Sequence, residues 1–298
     1  MALKDIKAKI GATKRMHTVT RAMEAVSAVK MRKTQASALA GRPYARAALS
    51  ILTRLSGSQE ARRHVLTNTR DVRKTALVVI TSDKGLAGAL NSGVLKAAAA
   101  AVVGKDVIVY AFGKKGYEFF SRRGFTIGSY VENKKDDVDP VEMDTFVQEL
   151  SRGFVAGDFD EVVAVYSNFK STFEQSPTTR TLLPLSAETV AELVRDIQPT
   201  KGKWSSEVAT EAPAAYETES TDDILDVLLP KLVAVSLYHM LLESKASEHS
   251  ARMVAMKSAS DKSKEVARDL TRVYNKIRQA AITREVSEIV GGREALAT

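Results

Sequence analysis

Cysteine is absent from the 298 residues, which excludes a disulfide framework, a thiolate nucleophile and cysteine-ligated zinc or iron–sulfur clusters. That absence permits a reducing, intracellular setting without requiring one. A secretory signal is missing as well: Met1 to Ile10 alternates lysines with apolar residues and has no continuous apolar run or small-residue cleavage site, so the mature chain is expected to begin near Met1. No stretch reads as a membrane span. The nearest, Ile224 to Leu242, is interrupted by Asp226, Pro230, Lys231 and His239, and each charge at a bilayer centre would cost roughly 2.5 to 3.5 kcal/mol. It is expected to be a buried soluble helix.

Glycine is missing where a long helix would need it missing. Twelve of the 16 glycines lie between Gly57 and Gly202, and none occurs from Lys203 to Val290. Because glycine costs a helix interior about 1 kcal/mol relative to alanine, the two flanks are predicted to be helical and the middle rich in loops.

What is present is charge, unevenly placed. Residues Met1 to Leu55 carry twelve basic side chains against Asp5 and Glu24, a net of +10, which leaves −2 for the rest of a chain of +8. Such a segment suits an acidic partner: nucleic acid, an anionic membrane surface or acidic protein loops. Nucleic-acid binding would call for stacking aromatics or a reading module, and Tyr44 is the one aromatic in the segment.

The first flank, Lys4 to Leu55, is predicted to bend near Gly41-Arg42-Pro43. Leu3, Ile6 and Ile10 form one apolar stripe; Met16, Val19, Met23 and Val26 form another on a face turned well away. The second flank runs from Asp222 to Val290 with Ser220 or Thr221 as cap, and Pro230 marks a kink or the first turn of a fresh helix. From Lys231 onward it gives roughly 90 Å of helix, longer than a globular domain needs. Val266, Leu270, Val273, Ile277 and Ala280 are spaced as a coiled-coil seam demands, and Gly291-Gly292 is expected to stop the helix.

Between the flanks, strands are predicted at Thr75 to Thr81, Val107 to Phe112 and Glu161 to Phe169. They alternate with helices at Leu86 to Val103, Lys115 to Arg123 and Pro140 to Val155. That alternation implies a small parallel α/β sheet, with an irregular polar segment from Thr178 to Tyr216. The domain boundaries follow as 1–56, 57–218 and 219–298.

Chemistry-bearing motifs are few. Ser82-Asp83-Lys84-Gly85-Leu86-Ala87-Gly88 joins a strand to a helix, where phosphate cradles occur, yet it fits neither G-x-G-x-x-G nor the P-loop and reads as a structural turn. His17, His64, His239 and His249 have no H-x-x-x-H or H-E-x-x-H pairing, and no serine sits in G-x-S-x-G. No active site is expected on this chain.

Three segments resemble the gamma subunit of F-type ATP synthases, in that family's order and across essentially the full length. They are Thr20 to Val26 with Lys30 to Lys33, then Thr81 to Asn91, and then Ala251 to Lys257, Tyr274 to Thr283 and Glu285 to Gly292. Thr18, where the family commonly has a basic residue, and Arg293, where it has alanine, depart from its pattern.

The resemblance implies a long antiparallel coiled coil of the terminal helices with a small central Rossmann-like α/β domain, acting as the rotating shaft of the proton-driven enzyme. It implies contacts to beta subunits through Met23, Lys30, Arg32, Lys33, Arg278, Gln279, Thr283 and Glu285, and to the epsilon subunit and the membrane ring through Tyr216 and Glu217. It implies alpha, beta and epsilon subunits and the proton-driven ring as partners, with no nucleic acid and no direct membrane span. No cofactor is expected on this chain, since ATP, ADP and magnesium would bind partner subunits. The implied location is peripheral, on the cytoplasmic face of a bacterial inner membrane or, alternatively, on the mitochondrial matrix side.

Overall fold

A computed structural model describes residues 3–55, 63–133, 140–186, 189, 192 and 221–297. Two helices dominate it, α1 (Leu3–Leu55) and a C-terminal helix of 77 residues (Thr221–Ala297). Between them come β1 (Lys74–Ile80), α2 (Leu90–Ala101), β2 (Asp106–Phe112), α3 (Lys114–Ser121), β3 (Thr126–Val131), α4 (Pro140–Ala156), β4 (Glu161–Phe169) and β5 (Gln175–Leu183). The C-terminal helix is α5. The described chain divides into two compact units, one of residues 1–28 and 252–298, the other of residues 29–251. The expected boundaries at 56/57 and 218/219 lie outside the described residues.

The larger unit is built on a five-stranded sheet in the order β3-β2-β1-β4-β5. β1 pairs in parallel with β2 and β4, and β2 in parallel with β3, whereas β5 runs antiparallel to β4. The sheet is therefore mixed, not all-parallel as expected. The first part of the segment expected to be irregular, up to Leu183, is edge strand.

Alternation along β1 sends its side chains to both faces. Leu77 and Val79 pack with Val94 and Ala98 of α2 and Phe120 of α3. Ala76, Val78 and Ile80 pack with Phe146, Leu150 and Phe154 of α4 and with Leu229, Leu232, Val233 and Leu237 of α5. A central strand buried on both faces needs the continuous apolar run that β1 has from Ala76 to Ile80. The apolar stretch around residues 225–241 is thus a core helix, as expected; fully burying each leucine contributes about 1.5 to 3 kcal/mol. α5 passes Pro230 as one helix, so no fresh helix starts there, and α1 is likewise one helix through residues 41–43.

The smaller unit pairs the start of α1 with the end of α5. The inner stripe of α1 runs Ile6, Ile10, Thr13, His17, Thr20, Glu24 and Ser27, less exposed than their neighbours and alternating by four and three residues. On α5, Met256, Ser260, Ser263 and Ala267 are buried, and Leu270, Tyr274 and Ile277 are half-buried. His17 bonds to Ser260. Counting antiparallel from that contact sets Ile10 beside Ala267 and Leu3 beside Tyr274. Burial on α5 fades just beyond that point, and residues 282–290 are all exposed, as the antiparallel arrangement requires.

The expected α5 seam is therefore rotated. Val266, Val273 and Ala280 are exposed, and Ala267 and Tyr274 take the inner face, because close helix approach favours the small side chains Ser260, Ser263 and Ala267. The helix also continues past Gly291 and Gly292 to Ala297 instead of stopping there.

One carboxylate ties β1 to β4 at their N-terminal ends. Asp160 Oδ2 accepts from the backbone N–H groups of Arg73 at 2.9 Å and Lys74 at 3.0 Å, while its own N–H donates to Lys74 O at 2.8 Å. The Arg73 amide first, then the Lys74 amide, hold this carboxyl below the ordinary aspartate range, with help from the Arg70 and Arg73 charges. A lowered folded-state value means that the contribution is present above the ordinary aspartate value and is lost as pH falls through the folded one. Asp160→Asn should thus lower the thermal midpoint at pH 7. It should also flatten its decline with acidification below about pH 4, measured by circular dichroism melts against the parent chain.

Candidate functional site

The turn after β1 is held by its own residues, by the start of α3 and by Asn133. Ser82 N donates to Asn91 Oδ1 at 3.1 Å, Asn91 Nδ2 donates to Ser82 Oγ at 2.7 Å, and Ser82 Oγ donates to Lys84 O at 2.6 Å. Asp83 Oδ1 accepts from Lys114 N at 2.6 Å, which places a carboxylate at the start of α3 where a bound anion would otherwise sit. Thr81 Oγ1 accepts from Gly116 N at 2.8 Å, and Asn133 Nδ2 donates to Thr81 O at 3.0 Å. The amides and carboxylate thus serve the turn itself, which supports the structural reading of this motif.

In the same turn Leu86 has a φ of 64°, a left-handed conformation that costs a residue of this kind about 1 to 3 kcal/mol, and its side chain is mostly exposed. The sequence carried no signal of this, because leucine disfavours that region. α2 consequently begins at Leu90 instead of Leu86.

The histidines are packed or tethered. His239 Nε2 lies 3.1 Å from Glu243 Oε1 in the buried part of α5, and His64 Nε2 lies 2.9 Å from Asp226 Oδ1. Among the described residues no group of three or more His, Cys, Asp or Glu could hold a metal ion.

The residues expected to meet partners divide between the units. In the smaller unit Met23 is half-buried on α1, and Arg278, Gln279, Thr283 and Glu285 are exposed on α5, with Thr283 Oγ1 donating to Gln279 O at 3.0 Å. They do not form one cluster. Antiparallel counting sets Met23 near residue 254, so about 24 residues, or roughly 36 Å of helix, separate it from Arg278. Lys30, Arg32 and Lys33 belong to the larger unit, with Arg32 and Lys33 exposed and Lys30 half-buried. Tyr216 and Glu217 lie outside the described residues.

The second apolar stripe of α1 falls on the outer face. Met16, Val19 and Val26 are each more than half exposed, and Val29, on the larger unit's stretch of the same helix, is too. On α5, Ile282, Val286, Ile289 and Val290 are exposed at spacings of four, three and one, a second outward apolar face. Runs of apolar side chains on water-facing helix surfaces mark contact with other macromolecules.

The profile of a family described as ATP synthase matches residues 2–296. The ATP synthase gamma chain of Staphylococcus saprophyticus is 38% identical over 99% of both chains. That of Roseiflexus castenholzii is 40% identical over 99% of this chain and 98% of the relative. The chain belongs to the ATP synthase gamma family. It is therefore a subunit of an enzyme complex.

The gamma fold is shared with more distant solved chains. A chain of the Euglena gracilis mitochondrial ATP synthase, from a structure of its OSCP, F1 and c-ring, superposes with a TM-score of 0.68 at 17% identity, covering 99% of this chain and 94% of that one. A chain of the Tetrahymena thermophila central stalk and c-ring gives 0.59 at 24% identity, covering 81% and 99%.

The turn offers a sharp structural test. A Cβ on Gly113, whose φ is 93°, would sit 2.0 Å from Thr81 O, so Gly113→Ala must displace the backbone junction of β1, β2 and α3. It should destabilise the gamma chain by more than about 2 kcal/mol in urea unfolding, whereas Gly85→Ala, which meets nothing within 4 Å, should cost far less.

Proposed function

We propose that this chain is the central rotating shaft of a proton-driven ATP synthase. It carries torque between a membrane ring and catalytic beta subunits, and ATP chemistry proceeds on its partners. The observation that carries this reading is the outward apolar face on each helix of the smaller unit, Met16, Val19 and Val26 on α1 and Ile282, Val286 and Ile289 on α5, in a chain of the gamma family. Water is a poor solvent for these surfaces, and a surrounding ring of alpha and beta subunits covers them without fixing them to one neighbour.

An asymmetric shaft drives chemistry by differential contact. At each orientation it stabilises one conformation of a beta subunit over another, and rotation passes that preference around the ring. In this reading the exposed Arg278, Gln279, Thr283 and Glu285 meet a loop of one beta subunit. Met23 and the basic Lys30, Arg32 and Lys33 meet acidic loops of beta, which accounts for the +10 charge of the first 55 residues. Tyr216 and Glu217 meet the epsilon subunit and the ring. ATP, ADP and magnesium bind the partner subunits, and the complex holds this chain peripherally on the cytoplasmic face of a bacterial inner membrane, or on the matrix side in a mitochondrial setting.

Arg278→Ala and Gln279→Ala should each lower ATP turnover of the assembled complex, with the arginine change worth roughly tenfold, the scale of one charge-assisted hydrogen bond. Melting of the isolated chain should not move, since both side chains are exposed. Full turnover by the double variant contradicts the contact. Met23→Lys should lower the number of protons moved per ATP in vesicles, and an unchanged ratio contradicts its role. The reading as a whole is tested by co-purification, in which the tagged chain must bring down a three-alpha, three-beta assembly with nucleotide-dependent activity.

A further inference from the structure

The seam of the smaller unit is unusually polar. Thr13, Thr20, Ser260, Ser263 and Thr271 share the inner faces with Ile6, Ile10, Met256, Leu270, Tyr274 and Ile277. Most of these hydroxyls turn back on their own helix: Thr13 to Lys9 O at 2.9 Å, Thr20 to Met16 O at 2.9 Å, Ser263 to Ala259 O at 2.7 Å and Thr271 to Ala267 O at 2.7 Å. Small, self-satisfied side chains fit equally well against several positions of a facing helix. They leave axial register weakly specified.

His17 behaves differently. Its Nδ1 lies 3.0 Å from the backbone oxygen of Ser260 and 2.9 Å from Ser260 Oγ, so it reaches across the seam. Every register offers the ring a backbone oxygen, whereas the Ser260 hydroxyl, which can donate to Nδ1 or accept from it, belongs to this one. A part-buried polar side chain that bonds across a helix seam favours the register in which it is paired, because a slip of one heptad sets His17 against Ala267 or Met253, neither of which carries a hydroxyl.

We propose that His17 sets the axial register of the two helices, and through it the relative heights of the partner-facing residues on each. It is a positioning residue. A slip of one heptad would move Met23 by roughly 10 Å along α5 relative to Arg278. The consequence for coupling rests on the shaft reading above; the register role does not.

The absence of cysteine makes the test clean in the full chain. Ile10→Cys with Ala267→Cys reports the native register, and Ile10→Cys with Tyr274→Cys reports a one-heptad slip, since a disulfide spans at most about 7 Å between Cα atoms. In the parent background the first pair should close and the second should not. His17→Leu should raise the slipped product three- to tenfold relative to the native one, about what one hydrogen bond supplies.

His17→Gln, whose amide can bond the same hydroxyl, should restore the parent ratio. Ser260→Ala should shift it in the same direction as His17→Leu, because the hydroxyl that marks this register is gone. Circular dichroism shows whether helix content is kept. An unchanged ratio in His17→Leu at equal helix content overturns the proposal; if His17→Leu loses helix, an unchanged ratio in Ser260→Ala overturns it. A shifted ratio with unaltered proton transport per ATP in the assembled complex would leave the register role standing and count against the shaft reading.

Discussion

Everything the tip of this gamma chain presents to its surroundings depends on two helices lying against each other through a seam of modest apolar content. Ile6, Ile10 and Met256 supply its hydrocarbon together with the half-buried Leu270, Tyr274 and Ile277, and hydroxyl residues and Ala267 lie between them. Small residues take the seam positions at Ser260, Ser263 and Ala267, while Val266 and Val273 turn outward. A globular protein would reverse that choice. Here the inner face is economical, and the outer face carries Met16, Val19 and Val26 among charged side chains.

The larger unit shows the opposite logic. Its sheet is buried on both faces, α2 and α3 covering one and α4 with the first turns of α5 covering the other. The N-terminal part of α5 is therefore held by conventional core packing, with Leu229, Leu232, Val233 and Leu237 essentially without exposure, before the helix continues into the polar-seamed part. One helix thus spans two regimes, a packed anchor and a lightly packed pair, a division of labour suited to passing force along its length.

Legibility followed burial. β1, β2 and β4 announced themselves as runs of Val, Ile, Leu and Ala because both of their faces are covered. β3 was not foreseen: Gly128 interrupts it and most of its residues are half-buried. β5 is an edge strand of Ser, Thr and Arg, which resembles a loop in composition. The seam was misplaced for a related reason. Val266 and Val273 look like core and point outward, whereas the inner face uses Ser260, Ser263 and Ala267, and hydropathy cannot separate a face that meets a partner helix from one that awaits other chains. The strain at Leu86 and the His17 bridge had no counterpart in any motif.

Rotation is the most direct test of the central claim. A label fixed through an introduced cysteine in the larger unit, in a complex assembled with alpha and beta subunits immobilised on a surface, should turn in one direction in discrete steps when ATP is supplied. It should stop when ATP is withdrawn. ATP turnover by the same assembly with the label stationary would contradict the account.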